Sequence, residues 1–378
     1  MNFKKLSEIA EIIMGQSPDS DTYNENSEGI PFFQGKSDFG KIYPNIRMYC
    51  SRPIKLAQIN DILMSVRAPV GDVNVSNIEC CIGRGLSAIR CNEKINYKYV
   101  YYYLTNIKER FEQQSTGSTF KAINKAIIGN MPILIPEELE IQQKIVNVLD
   151  KAQSLIDKRK VQIEALDELV KSRFIEMFGD PITNLKAWNT AKLGDICTIS
   201  RGGSPRPIDQ FLGGPIPWIK IGDATQGDDI YLHKTKEGII EEGIKKSRLI
   251  KKGGLIFANC GVSLGFARIL KIDGCIHDGW LAFEGFDDYL DKIFFLKSLN
   301  YCTEYFRRIA PDGTQPNLNT NIMREYVQIL PPMEKQKEYA NFIEQVDKLK
   351  FEMEKSLKEL EDNFNSLMQR AFKGELFN

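Results

Sequence analysis

The chain nearly repeats itself after about 190 residues, and this duplication restricts it to architectures built from two copies of one unit. Leu6-Ser7-Glu8-Ile9-Ala10, then Gly15-Gln16-Ser17-Pro18, returns as Leu193-Gly194-Asp195-Ile196-Cys197, then Gly202-Gly203-Ser204-Pro205. Ile30-Pro31-Phe32-Phe33 returns as Ile216-Pro217-Trp218-Ile219. Asp61-Ile62-Leu63-Met64-Ser65 corresponds to Gly254-Leu255-Ile256-Phe257-Ala258, with Gly71 answering Gly265. Cys81-Ile82 and Gly85 recur as Cys275-Ile276 and Gly279. Gly117-Ser118-Thr119 with Asn124 parallels Gly313-Thr314-Gln315 with Asn319, and Ile133-Leu134-Ile135-Pro136 parallels Gln328-Ile329-Leu330-Pro331. The order is kept throughout and the spacing drifts by only a few residues, so chance is excluded.

Within each unit, short apolar or alternating runs (62–66, 86–89, 255–258, 280–283) sit between Gly, Pro and Asn punctuation and predict strands. One amphipathic helix is predicted over 97–114 and again over 290–308, ahead of a Gly-containing loop and a last strand. This is a compact, strand-rich mixed domain of about 135 residues, of α+β class. The texture then changes. From 138 to 178 and from 333 to 372 there is no Pro and no Gly, and charged residues alternate with apolar ones. In the first stretch Leu149, Ile156, Ile163, Val170 and Met177 recur every seven residues, while the complementary row carries Arg159 and Arg173 beside Ala152 and Leu166. In the second, Ile343, Leu357, Phe364 and Ala371 share a row interrupted by Lys350, and Val346, Met353, Leu360 and Leu367 fill the other. Seams of this length predict coiled-coil packing of two helices, each about 60 Å long at 1.5 Å per residue. Gly179-Asp180-Pro181 stops the first helix. The expected segments are therefore two domains, 1–137 and 179–332, each followed by a helix, 138–178 and 333–378.

Several function classes find no support. Lys+Arg 50 against Asp+Glu 50 lacks the basic excess of a free-standing nonspecific nucleic-acid binder, although a neutral total can hide a basic face. The start of the chain leads into no apolar run of signal-peptide type, and no stretch approaches the ~18 apolar residues of a membrane span, so a cytoplasmic protein is expected. The eight cysteines form no CxxC pair, and only His233 and His277 could complete a zinc site, so buried reduced thiols are expected. Gly35-Lys36-Ser37 resembles the tail of a phosphate loop, but Ile30 stands where its first glycine belongs. Gly83-Arg84-Gly85 lacks the rest of a dinucleotide fingerprint, and no Gly-x-Ser-x-Gly elbow is present. No catalytic residue, cofactor site or metal ligand is assigned.

What remains is polar equipment on loops. Lys36, Arg67 and Arg84 in the first unit, and Arg206, Lys220 and Arg268 in the second, stand beside Gly, Pro or strand ends. Ser118, Thr119 and Lys121 answer Thr314, Gln315 and Asn317. Loops on a rigid strand scaffold are where recognition residues concentrate. Arg and Lys match guanine edges or phosphates, and Asn and Gln match adenine edges. These twelve are the candidate DNA contacts.

The repeated plan joins Leu-x-[Glu/Asp]-Ile, a Gly-x-Ser-Pro turn, a Gly-Ser/Thr loop, a strand ending in Pro and a Gln-containing long helix. With Gln142-Gln143-Lys144-Ile145, Gln336-Lys337 and the closing Arg370-Ala371-Phe372-Lys373-Gly374-Glu375-Leu376, it resembles the specificity subunit of type I restriction–modification enzymes. The resemblance implies two target-recognition domains that each read half of a split double-stranded DNA sequence. It implies that the long helices pair antiparallel as a spacer and bind two modification subunits, with a restriction and translocation subunit as a further partner. The partners, not this chain, would use S-adenosylmethionine, ATP and magnesium. The two domains differ most in their middles, 36–60 against 223–252, so unlike half-sites are expected. Two alternatives stay open: a fused methyltransferase or nuclease, which S-adenosylmethionine binding to the isolated chain would reveal, and a coiled-coil adaptor without DNA function.

Overall fold

The structure, a computed structural model, describes residues 2–115, 121–225, 227, 229–261, 263–311 and 317–377. Contacts divide the chain into two units: Met1–Val161 with Lys355–Asn378, and Gln162–Glu354. The two uninterrupted 40-residue helices, Leu139–Phe178 and Met333–Phe372, each lend one half to each unit. The four segments expected from sequence thus regroup as two units of like design.

The first unit centres on a sheet ordered Ala10–Met14, Leu86–Cys91, Ile62–Ser65, Val73–Val75, antiparallel throughout. Its strand Ile62–Ser65 is buried on both faces: Ile62 and Met64 face one core, Leu63 another. This explains a run that is apolar without alternation. The second unit repeats the arrangement in Leu255–Ala258, with Leu255 and Phe257 on one side and Ile256 and Ala258 on the other. Each unit also has a second sheet with one parallel pair. Ile30–Phe33 runs beside Cys80–Ile82 in register Phe32 to Cys81, and Leu212–Ile219 beside Gly274–Ile276 in register Trp218 to Cys275. A two-stranded ribbon closes each domain, Asn2–Lys5 on Pro132–Ile135 and Asn189–Lys192 on Val327–Leu330.

The single helix expected over 97–114 is two, Tyr97–Asn106 and Lys108–Gln114, and that over 290–308 is likewise Lys292–Tyr301 and Thr303–Ile309. The breaks fall at Ile107 (φ −104°, ψ 14°) and Cys302 (φ −84°, ψ 11°), near the sparsely allowed bridge region, and both residues are buried. The kink keeps Phe111 and Phe306 in the cores, an override of periodicity by packing that no Gly or Pro announces.

A buried glutamine joins each long helix to the domain before it. Gln142 Oε1 accepts from Asn96 N (2.8 Å), and its Nε2 donates to the carbonyls of Pro136 (2.9 Å) and Lys94 (3.3 Å). Gln336 does the same with Asp291 N (2.8 Å), Pro331 O (2.7 Å) and Tyr289 O (3.1 Å). Both side chains are wholly excluded from solvent, so every bond they make replaces one otherwise lost with water.

The helix halves pair antiparallel inside each unit. In the second, Asp167 meets Lys350 (2.6 Å), Tyr339 donates to the Val170 carbonyl (3.2 Å) and Arg173 meets Glu338 (3.1 Å), so partner numbers fall as the helix rises. In the first, Lys160 meets Glu361 (2.8 Å). Of the expected seam, Leu149, Ile156, Ile343 and Val346 are buried, and Ile163, Val170, Met353, Leu357, Leu360, Phe364 and Leu367 are half-buried. Far from the helix middles the seam merges with the domain cores. Phe372 and Tyr99 pack edge to face (5.2 Å between centroids), as do Phe178 and Phe294 (4.7 Å). Among the described residues no helix is long and apolar enough to cross a membrane.

Candidate nucleic-acid interface

In each unit the same three backbone segments converge beside the parallel strand pair. The first is the Gly-Ser turn. Gly15 N donates to Leu86 O and Gln16 N to Ile82 O, as Gly202 N does to Trp280 O and Gly203 N to Ile276 O. A Cβ on Gly15 or Gly202 would sit 2.2 Å from the carbonyl oxygen of Gly83 or His277, so only glycine permits the approach. The second is the loop after the central strand, held where Val66 N donates to Gly85 O and Ile123 N to Val66 O. Its counterpart has Asn259 N on Gly279 O and Leu318 N on Asn259 O. This loop turns through Gly71 (φ +86°) and Gly265 (φ +101°), a left-handed region that favours glycine. The third is the turn after the parallel strand, where Asp38 Oδ2 accepts from Gln34 N (2.6 Å) and Asp223 Oδ2 from Lys220 N (2.9 Å).

In the first unit the second and third segments, with Arg84 and Gly85 beside them, line a groove of about 470 Å³ that gathers Gln34, Lys36, Arg67 and Arg84. Arg67 and Arg84 are exposed, and Lys36 pairs with Asp72 at 2.7 Å. Lys121, also exposed, lies alongside: its carbonyl accepts from Ala68 N (3.1 Å), and Ala122 bridges to Arg67. Arg84 is held at the backbone, its N donating to Ser17 Oγ (3.2 Å). Ser65 Oγ donates to Pro69 O (2.8 Å) and accepts from Asp72 N (3.0 Å), so the Arg67 loop is fixed. Two exposed arginines, with Lys36 held on Asp72, give this concave surface a positive potential.

The second unit fills the same positions differently. Lys220 stands where Gln34 does, Cys260 where Arg67 does, and Asp278 where Arg84 does, given the matching backbone bonds. Lys220 Nζ pairs with Glu237 (2.5 Å) and lies over the Trp218 ring (5.1 Å). His277 packs on Trp218, accepts from Gly279 N at Nδ1 (3.0 Å) and turns Nε2 to Asp278 Oδ1 (2.9 Å). Burial holds the His277 pKa below its ordinary 6.5. Asp278 opposes this, and the positive charges of Lys220, Arg206 and Arg201 add to the depression. His277 is thus a neutral imidazole at pH 7, with Nε2–H donating to Asp278. Arg206, exposed after Pro205, belongs to the same electrostatic neighbourhood. Asn317 Oδ1 accepts from the buried Asn259 Nδ2 (3.0 Å), beside Cys260.

Not every candidate gathers there. Arg268 lies within the strand Ala267–Leu270, with its guanidinium over Phe266 (4.7 Å) and its charge felt by Asp229. Ser118, Thr119, Thr314 and Gln315 lie outside the described residues. Residue-type reasoning passed over Gln34, His277 and Asp278, because a lone polar side chain at a strand end carries no signal until the strand's partner is known. Burial pushes the thiols of Cys80, Cys91 and Cys197 up to about 12, so they stay protonated at neutral pH.

A family model described as the type I restriction modification DNA specificity domain matches residues 1–165 and 186–362. The putative type I restriction enzyme MjaX specificity subunit of Methanocaldococcus jannaschii is 45% identical over 161 residues, a match covering 42% of this chain and 38% of that protein. The type I restriction enzyme MjaIX specificity subunit of the same organism is 26% identical over 295 residues, covering 70% and 67%. Two solved structures share the fold at 17% identity. One is the type I restriction-modification S subunit from M. genitalium, with a TM-score of 0.58 over 98% of this chain and 96% of that one. The other comes from work on complex assembly and conformational transition of the type I R-M system, with a TM-score of 0.69 over 99% and 98%. The matched residues take in both units and most of both long helices, and the chain belongs to the type I restriction–modification DNA specificity family.

Proposed function

We propose that this chain is the DNA-recognition subunit of a type I restriction–modification complex, reading a split, asymmetric double-stranded target with one groove per unit. The observation that carries the reading is the duplicated meeting of three loops, built by the same backbone bonds but furnished with different side chains. A shared scaffold with unlike side chains suits two readers of two different short sequences. The glutamine joints and antiparallel helix halves support a second role, the long helices acting as spacer and as dock for two modification subunits and, where one exists, a restriction and translocation subunit. Methyl transfer and ATP-driven steps, with their S-adenosylmethionine, ATP and magnesium, then belong to those partners. The test is to assay purified chain alone and with its modification partner. Alone it should neither methylate nor cleave DNA and should bind random duplex in a salt-dependent way. With the partner it should direct methylation to a split motif. Turnover by the chain alone, abolished by substituting one of its own residues, would contradict the proposal.

A further inference from the structure

The turn after the parallel strand has the same backbone in both units and carries in each a side chain suited to reading bases. Gln34 and Lys220 each follow the last residue of a strand whose carbonyl is taken by the neighbouring tip: Gly83 N donates to Phe33 O (2.9 Å), and His277 N to Ile219 O (3.0 Å). Each has its own N–H tied to a carboxylate three or four residues on, Asp38 or Asp223. Asp38 is almost wholly buried and is itself held by Arg47 Nε (3.1 Å). Asp223 accepts a second bond from Lys236 N (3.1 Å). Neither backbone can swing, so each side chain leaves from a fixed point.

Their chemistry separates them from the surrounding cations. Gln34 is exposed and uncharged, so it adds nothing to the charge term that binds phosphate, while its amide offers the donor and acceptor that match an adenine N7/N6 edge. Lys220 is charged, but Glu237 at 2.5 Å neutralises it and Trp218 supports it from below. A neutralised, buttressed ammonium is a poor general phosphate contact and a good directional donor to guanine O6 and N7. In the first groove the exposed Arg67 and Arg84 already supply the positive surface for the backbone.

We propose that Gln34 and Lys220 are equivalent specificity-determining positions, Gln34 reading an adenine in one half-site and Lys220 a guanine in the other. The inference rests on the reading of the chain as a two-groove DNA-recognition subunit. It is tested with the full chain co-expressed with its modification partner, by mapping methylated motifs genome-wide for wild type, Gln34→Ala, Gln34→Lys, Lys220→Ala and Lys220→Gln. Gln34→Ala should relax one adenine position of one half-site, with roughly ten- to hundred-fold loss of preference, and leave the other half-site unchanged. Gln34→Lys should move that position toward guanine, and Lys220→Gln should move its own position from guanine toward adenine. Gln34 is exposed, so its variants should keep the wild-type melting temperature, which separates a reading role from a structural one. A wild-type motif with unchanged preferences in all four variants, or a uniform loss at every position, overturns this inference alone. Absence of any split motif from the wild-type complex overturns the underlying reading as well.

Discussion

Asp72 holds two lysines at once, Lys36 at 2.7 Å and Lys108 at 2.9 Å, and so sets how much positive charge the first groove presents. Replacing it with Asn removes one negative charge without changing shape. Asp72→Asn should tighten binding to random duplex, and the slope of log K against log salt should steepen by about one. An unchanged slope would place Lys36 outside the DNA path. His277 gives a pH signature to the loop cluster of the second unit. Its pKa is lowered on folding, so its contribution to stability is complete above its unfolded value near 6.5 and is lost as pH falls from there through the folded value. Wild type should therefore lose more stability to urea between pH 7 and pH 5 than His277→Gln does, and equal losses would refute the assignment. At this scale the sequence was partly legible. Gly and strand ends mark Arg67, Arg84 and Lys36 as loop residues, and the structure brings them to one groove. Gln34, which lines the same groove, carries no such signal by itself, because it joins them only through the parallel partner strand, about 50 residues away in the chain. Arg268 looked alike in sequence, yet it falls inside a strand and packs on Phe266.

Among elements, the strands and the long helices were the most legible parts. A strand apolar on both faces, such as Ile62–Ser65, shows as a short continuous run, and a helix of 40 residues free of Gly and Pro shows as heptads. The broken helices were not legible, since Ile107 and Cys302 are residues that a continuous helix accepts. The repeat also pointed to Asn124 and Asn319 without giving their task. Both are helix N-caps, accepting from Ile127 N and Ile322 N at 3.0 Å. Gln142 and Gln336 are the elements' most consequential joints. Gln142→Ala would strip partners from Asn96 N, Pro136 O and Lys94 O in a buried site, at a cost of about 1–3 kcal/mol. Urea denaturation should show that loss as a lower midpoint for the variant, with Gln336→Ala behaving alike. A variant as stable as wild type would mean water replaces the amide at no cost.

For the whole molecule, duplication with divergence is the organising fact. The bonds that bring the three loops together are common to both units, whereas the middles, 36–60 and 223–252, share little. Each unit therefore keeps its scaffold and changes the side chains it displays, and under the proposed function the two halves of the target are read independently of one another. The central claim is that independence, and methylation mapping in cells carrying the chain and its modification partner measures it directly. Arg67→Ala with Arg84→Ala should change the methylated motif in one half-site only. Arg206→Ala with Lys220→Ala should change only the other, and the gap between the halves should stay constant. Changes in both half-sites from substitutions in one unit would contradict the account.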